Sequence, residues 1–106
     1  MNPKIQSILT ELRRHFEDLY GERLVRMVLF GSQARGDAES GSDIDVLVVL
    51  KGKVSPCEEI ARTSEITADL SLQHDEVISC VFVSDKQFQQ ERSPLLINVR
   101  REGVAI

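Results

Sequence analysis

The sequence predicts a small α/β (α+β) domain built on a short mixed β-sheet flanked by helices. Three observations predict it. Apolar residues recur at helical spacing over 3–20, β-rich apolar runs occupy 24–30, 43–50 and 77–83, and the first two runs are joined by a short polar stretch, Gln33 to Ser42. Strands joined by so short a link need not run parallel, so a regular doubly wound sheet is not expected.

The first helix is read from Ile5, Ile8, Leu12, Phe16 and Leu19, which fall at steps of three and four and form one apolar stripe. Asn2 is placed to cap it, Pro3 suits the first helical position, and Gly21 follows the last periodic residue, where a left-handed cap is expected. His15 lies beside the stripe and reads as an edge-of-core or solvent-facing residue. Leu24 to Phe30 reads as a buried strand running into Gly31-Ser32. Ala34 to Ala38 is long enough for one helical turn, weakened by Gly36.

The second strand is Asp43 to Leu50; Val46 to Leu50 are all apolar, as in a strand covered on both faces. Lys51-Gly52-Lys53 reads as a turn. Ser55-Pro56-Cys57-Glu58 has the form of a capping box opening a helix to about Gln73, with a weaker stripe of Ile60, Thr63, Thr67 and Leu70. Val77 to Val83 is the third strand. Ser84 and Gln87 form a second capping box for a short helix through Glu91, and Ser93-Pro94 opens a last helix carrying Leu95, Leu96 and Val99. Gly103 closes it, and Val104-Ala105-Ile106 adds a terminal strand.

The chain has 106 residues, which fits a single domain over 1–106. Its 42% hydrophobic and 28% charged residues are ordinary for a globular protein. No apolar run approaches the roughly 20 residues of a membrane span, and Met1-Asn2-Pro3-Lys4 lacks the blocks of a signal peptide. A cytoplasmic address without membrane attachment is therefore expected. The net charge of −4 argues against broad nucleic-acid binding, which rests on Lys and Arg neutralising phosphates. Cys57 and Cys80 have no zinc spacing and read as buried or half-buried free thiols.

The chemistry-bearing segment runs from Phe30-Gly31-Ser32 to Asp43-Ile44-Asp45. Asp43 and Asp45 open a strand two residues apart, so their carboxylates point the same way, with Cβ atoms roughly 6 to 7 Å apart. Like charges at the mouth of an apolar strand repel unless a cation joins them. Carboxylate oxygens suit Mg²⁺, which completes its shell with phosphate oxygens and water and aligns a triphosphate for in-line attack. Gly31 permits close backbone approach, and the backbone N–H groups and Ser32 hydroxyl that follow are suited to phosphate oxygens. The chain lacks a GxxxxGK[ST] P-loop and a GxGxxG fingerprint. A calcium loop is excluded because the apolar strand occupies the offsets where further oxygen ligands would fall.

Gly31-Ser32, ten residues, then Asp43-Ile44-Asp45 resembles the signature of the DNA-polymerase-β-like nucleotidyltransferase superfamily. The fuller string GSQARGDAESGSDIDVLVV, with Ser93-Pro94-Leu95-Leu96 and Arg101-Glu102-Gly103 near the end, is similar to the minimal nucleotidyltransferases of bacteria and archaea. The resemblance implies the nucleotidyltransferase fold, with ATP as substrate and Mg²⁺ as cofactor. It implies that Gly31, Ser32, Arg35 and Ser42 contact the nucleotide and that Asp43 and Asp45 hold the metal. It further implies transfer of AMP to a hydroxyl, such as a tyrosine of a small helical HEPN-type partner, with the chain as antitoxin. Self-association is left open.

The family's third carboxylate, which often serves as general base, falls on a later strand. Aligned on Val77-Ile78-Ser79-Cys80-Val81-Phe82-Val83, its place is taken by Ser79. Glu76, preferred to Asp75 at the start of the same strand, is the substitute if the register is shifted, or a partner supplies the base. The alternative is a weak or inactive nucleotide-binding module that neutralises a partner by contact.

Overall fold

The computed structural model describes residues 2–39 and 41–106. Its elements follow the order α1 (Pro3–Tyr20), a 3₁₀ turn (Gly21–Arg23), β1 (Leu24–Phe30), α2 (Ser32–Arg35), β2 (Ile44–Leu50), α3 (Pro56–His74), β3 (Ile78–Ser84), α4 (Asp85–Gln90), α5 (Pro94–Glu102) and β4 (Val104–Ala105). The sheet order is β3-β2-β1-β4. β1 runs antiparallel to both β2 and β4, whereas β2 and β3 are parallel. The α3 crossover makes the parallel pair possible, and the short polar link makes the antiparallel one. The sheet is mixed, as the connection lengths predict.

β2 lies at the centre of the strong pairings, and Val46 to Leu50 are completely buried. Strand alternation sorts its side chains onto two faces. Ile44, Val46, Val48 and Leu50 join Met27, Leu29 and Phe82 under α1 and α3. Leu47 and Val49 face the other way, with Val28, Leu96 and Val99, under α5. Asp45 shares the parity of Leu47 and Val49, so it belongs to the α5 side.

α1 begins where expected: the Asn2 side chain accepts from Lys4 N–H at 2.8 Å and Pro3 opens the helix. Its stripe is Ile5, Ile8, Leu9, Leu12, Phe16 and Tyr20. Leu19, expected inside, is 41% exposed. Tyr20 takes its place because it lies four residues after Phe16, and their rings meet edge-on at 5.9 Å. Gly21 has a positive φ of 55° but an extended ψ, so the helix ends in a 3₁₀ turn rather than a left-handed cap. His15 is exposed.

In α3 the inward face also differs from the expectation. Ile60 is 53% exposed, and Glu59 is buried beside it. The Glu59 carboxylate accepts from the Tyr20 hydroxyl at 2.8 Å and from Arg62 Nε at 3.0 Å. Burial, reinforced by the bond to Glu59, pushes the Tyr20 phenol well above its ordinary pKa. A buried carboxylate is tolerated only when so paired. Apolar periodicity does not see such a pair, because neither partner is counted as a core residue until the two helices meet.

Ser55 makes no side-chain cap bond, so the first expected capping box does not form. The box at Ser84 and Gln87 forms in both directions, and α4 ends at Gln90. At α5, the Ser93 hydroxyl accepts from Leu96 N–H. Both cysteines are free, but Cys57 is exposed rather than buried, because it lies on the outer face of α3. Cys80 is half-buried, and burial pushes its thiol up to about 12. No helix among the described residues is long and apolar enough to cross a membrane.

Candidate active site

The site is built where β1 ends and β2 begins. Phe30 and Asp45 are partners in the antiparallel ladder. The residue after Phe30, Gly31, therefore passes directly over the Asp45 side chain. Gly31 has φ 76°, ψ −158°, and caps α2. A side chain there would meet two obstacles: the backbone is in a region that L-residues rarely adopt, and a Cβ would overlap Asp45 Oδ2. Gly31→Ala is expected to cost about 1–3 kcal/mol of stability for the backbone strain alone and to displace the Asp45 carboxylate. A urea melt together with an ATP titration checks it, both being expected to weaken.

α2 is a single turn. Ala34 and Arg35 N–H groups both bond the Gly31 carbonyl at 3.1 Å, and Gly36 closes it with φ 82°. The turn sits two residues earlier than the sequence suggests, since Gly36 ends it rather than interrupting it. A helix start leaves its first N–H groups without intrahelical partners, and here these follow Gly31 beside Asp45.

Asp43 is exposed just before β2, and Asp45 is half-buried in it. Burial raises the Asp45 pKa from its ordinary value; the Asp43 carboxylate raises it further, and Arg35 pulls part of the way back. The two carboxylates therefore feel one another. Among the described residues no group of three or more His, Cys, Asp or Glu gathers as a complete metal cage. The donor set is hard oxygen from two carboxylates, which fits an ion that takes the rest of its shell from phosphate and water. Such an ion would offset both the burial and the Asp43 repulsion that raise Asp45.

The remaining candidates are placed as follows. Ser42 organises the loop: its hydroxyl accepts from Glu39 N–H at 3.0 Å, and its own N–H bonds the Glu39 carbonyl at 3.0 Å. Arg35 is ion-paired with Asp37 at 3.2 Å and with Glu102 at 3.4 Å, tying α2 to the last turn of α5. Both pairs are exposed and screened by solvent, so they contribute little and the guanidinium is free to exchange them for a stronger anion. Glu102 escapes a sequence reading because its partner is 67 positions away.

Glu76 is not brought to Asp45. It shares the parity of Ile78 and Cys80, on the α1 side of the sheet, and its carboxylate pairs with Lys4 at 3.4 Å. Asp75 is the left-handed cap of α3. The residue beside Asp45 in the parallel ladder is Ser79.

The model of the nucleotidyltransferase domain family matches residues 9–101. The chain belongs to that family. Three curated relatives from Methanocaldococcus jannaschii carry names that assign them provisionally as protein adenylyltransferases. One is 34% identical over 76 residues, covering 72% of this chain and 76% of the relative. Another is 29% identical over 86 residues, covering 81% and 80%. Among solved structures, a toxin–antitoxin with AMP-PNP aligns with TM-score 0.63 and 24% identity over 95% of this chain and 70% of that one. A structure from Sulfolobus solfataricus, described provisionally as a nucleotidyltransferase, aligns with TM-score 0.60 and 19% identity, covering 99% and 86%. These structures share the nucleotidyltransferase fold. The curated relatives and the family match make the chain a nucleotidyltransferase.

Proposed function

We propose that this nucleotidyltransferase is a Mg²⁺-dependent adenylyltransferase that moves AMP from ATP to a hydroxyl of a protein partner, a tyrosine of a HEPN-type helical protein, and so acts as an antitoxin. One observation carries the reading: Asp45 lies against Gly31, with Asp43 two residues before it, so two carboxylates stand beside the backbone turn that opens α2. Asp43 and Asp45 would hold Mg²⁺, which when bound offsets charge on the triphosphate and its leaving group. Gly31 and Ser32 present backbone N–H groups to phosphate oxygens, and Arg35 leaves its surface pairs to join them. Ser42 keeps the carboxylates at the rim by closing the preceding loop.

In the transfer the acceptor oxygen bonds to the α-phosphorus while the α–β phosphoanhydride bond breaks. Pyrophosphate leaves with that electron pair, and the acceptor proton passes to a carboxylate or to water. The provisional names of the curated relatives support a protein acceptor. The toxin–antitoxin neighbours support a partner in such a pair.

Ser79 favours a second reading, a nucleotide-binding module that acts by contact, because serine is a poor base. Co-expression with the helical partner and ATP labelled at the α-phosphate separates them. Label on a partner tyrosine supports transfer. No label, together with neutralisation that survives Asp43→Asn/Asp45→Asn, would sink the enzyme reading.

A further inference from the structure

β3 is an outermost strand of the sheet, yet Ile78–Ser84 contains no charge, proline or glycine. Proteins normally blunt a free edge with Lys, Pro, a bulge or a very short strand. The opposite edge is handled in that way, since β4 has only two residues. The β3 edge is left bare over a stretch beginning at Val77, which is 57% exposed, and continuing through half-buried Ile78, Ser79, Cys80 and Val81.

The ladder tells which backbone groups are free. Ile44 N–H donates to the Val77 carbonyl at 2.8 Å, and Ile44 pairs with Ile78. In a parallel pair the odd-numbered residues of β3 then face β2, and Ile78, Cys80 and Phe82 turn their N–H and C=O outward. Among the described residues none of these groups has a hydrogen-bond partner. Phe82 is buried, and Ser84 N–H is taken by Gln87 Oε1 at 2.9 Å. The usable edge is therefore Ile78 to Cys80, and Ser79 between them is the residue alongside Asp45.

We propose, resting on the adenylyltransferase reading above, that this edge docks the acceptor: an extended segment of the acceptor protein joins the sheet beside β3 and carries its tyrosine across Ser79 to the Asp45 site. Main-chain bonds to Ile78 and Cys80 supply the affinity, as in other strand additions. Adjacent strands lie about 4.8 Å apart, so an added strand runs about 10 Å from β2. A serine or threonine hydroxyl stays close to its own strand; a tyrosine hydroxyl reaches much further. The crossing passes Ser79 on the α5 side of the sheet, where Asp45 points. The edge thus selects tyrosine by reach.

The test is amide hydrogen exchange on isotopically labelled protein with Mg²⁺, ATP and the blocked peptide Val-Thr-Val-Tyr-Val-Thr-Val. Exchange at Ile78 and Cys80 should slow about tenfold or more, and an analogue N-methylated at alternate residues should leave it unchanged. Cys80→Pro removes one outward N–H and should abolish AMP transfer to the peptide while ATP affinity stays within about twofold. If that variant does not fold, Val77→Lys places a charge at the edge and should weaken peptide binding. Unchanged exchange at Ile78 and Cys80 with millimolar peptide overturns the proposal. So does protection that grows with protein concentration without peptide, which would mean that a second copy occupies the edge. ATP-induced shifts at Gly31 and Ser32, read in the same samples, report on the adenylyltransferase reading separately.

Discussion

Asp45→Asn should melt at a higher temperature than the wild type in the absence of ligand, and should lose the stabilisation that Mg²⁺ with ATP confers. The two effects have opposite signs and one cause. Burial and Asp43 raise the Asp45 pKa in the folded protein. A raised carboxyl pKa means that the folded state holds the proton more tightly than the unfolded state. Its contribution is then fully present below the unfolded pKa, near 4, and is lost as pH rises through the raised folded value. At neutral pH the ionised Asp45 is thus a standing cost to the free protein, as functional charges commonly are. Removing it should raise Tm at pH 7 and leave it unchanged at about pH 3.

On the proposed function, the same substitution takes away a metal ligand. Loss of an outer-shell partner alone typically costs about 10- to 100-fold in metal affinity, so loss of a direct ligand is expected to exceed that. Thermal melts with and without Mg²⁺ and ATP at both pH values read both halves. A variant that is less stable when free, or that still gains stability from ATP, contradicts the account.

Ser79→Asp is the second large effect, and it is a gain. The ladder sets Ser79 beside Asp45, and their shared parity turns both side chains to the α5 face. A carboxylate there would stand where a base can take the acceptor proton. A positioned general base contributes about 10²- to 10⁴-fold. Transfer of AMP to a tyrosine acceptor, followed in a single turnover, should therefore rise by at least about tenfold even with imperfect placement. The added charge should also lower the stability of the free protein, since a third carboxylate joins two that already repel. An unchanged transfer rate would mean that proton removal does not limit the reaction at this site. Ser79 would then be no deficiency.

Much of the fold could be read from the chain because its elements obey local rules. Asn2-Pro3, Ser93-Pro94 and the Ser84–Gln87 box start helices by short-range hydrogen bonds, and all three are where the residues place them. The unbroken apolar run of β2 marks a strand covered on both faces, and it is. Misreadings occur where a distant partner decides. Glu59 goes inside because Tyr20, 39 positions away, donates to it; Ile60 is then left outside. Leu19 yields to Tyr20 for the same reason, since the phenol has a buried acceptor to reach.

The site shows the same division. The nearness of Gly31 to Asp45 is legible because both sit where one apolar strand ends and the next begins, and Asp43 stands just before that strand. Glu76 lies away from them because Lys4, on another element, holds it, and the Arg35 pair with Glu102 likewise depends on a distant partner. Ser79 was found only through alignment to a family pattern, and the parallel register then gives it a neighbour. Nothing in local sequence marks the bare β3 edge, because an edge is a property of the assembled sheet.

On the proposed function, Asp43, Asp45 and the Gly31-Ser32 backbone form one metal–triphosphate site. Calorimetric titration of ATP tests it most directly, run on the wild type with Mg²⁺, on the wild type with EDTA, and on Asp43→Asn/Asp45→Asn with Mg²⁺. Saturable one-to-one binding is expected in the first titration and none measurable in the other two. Equal affinity in all three would show that the triphosphate is held somewhere else.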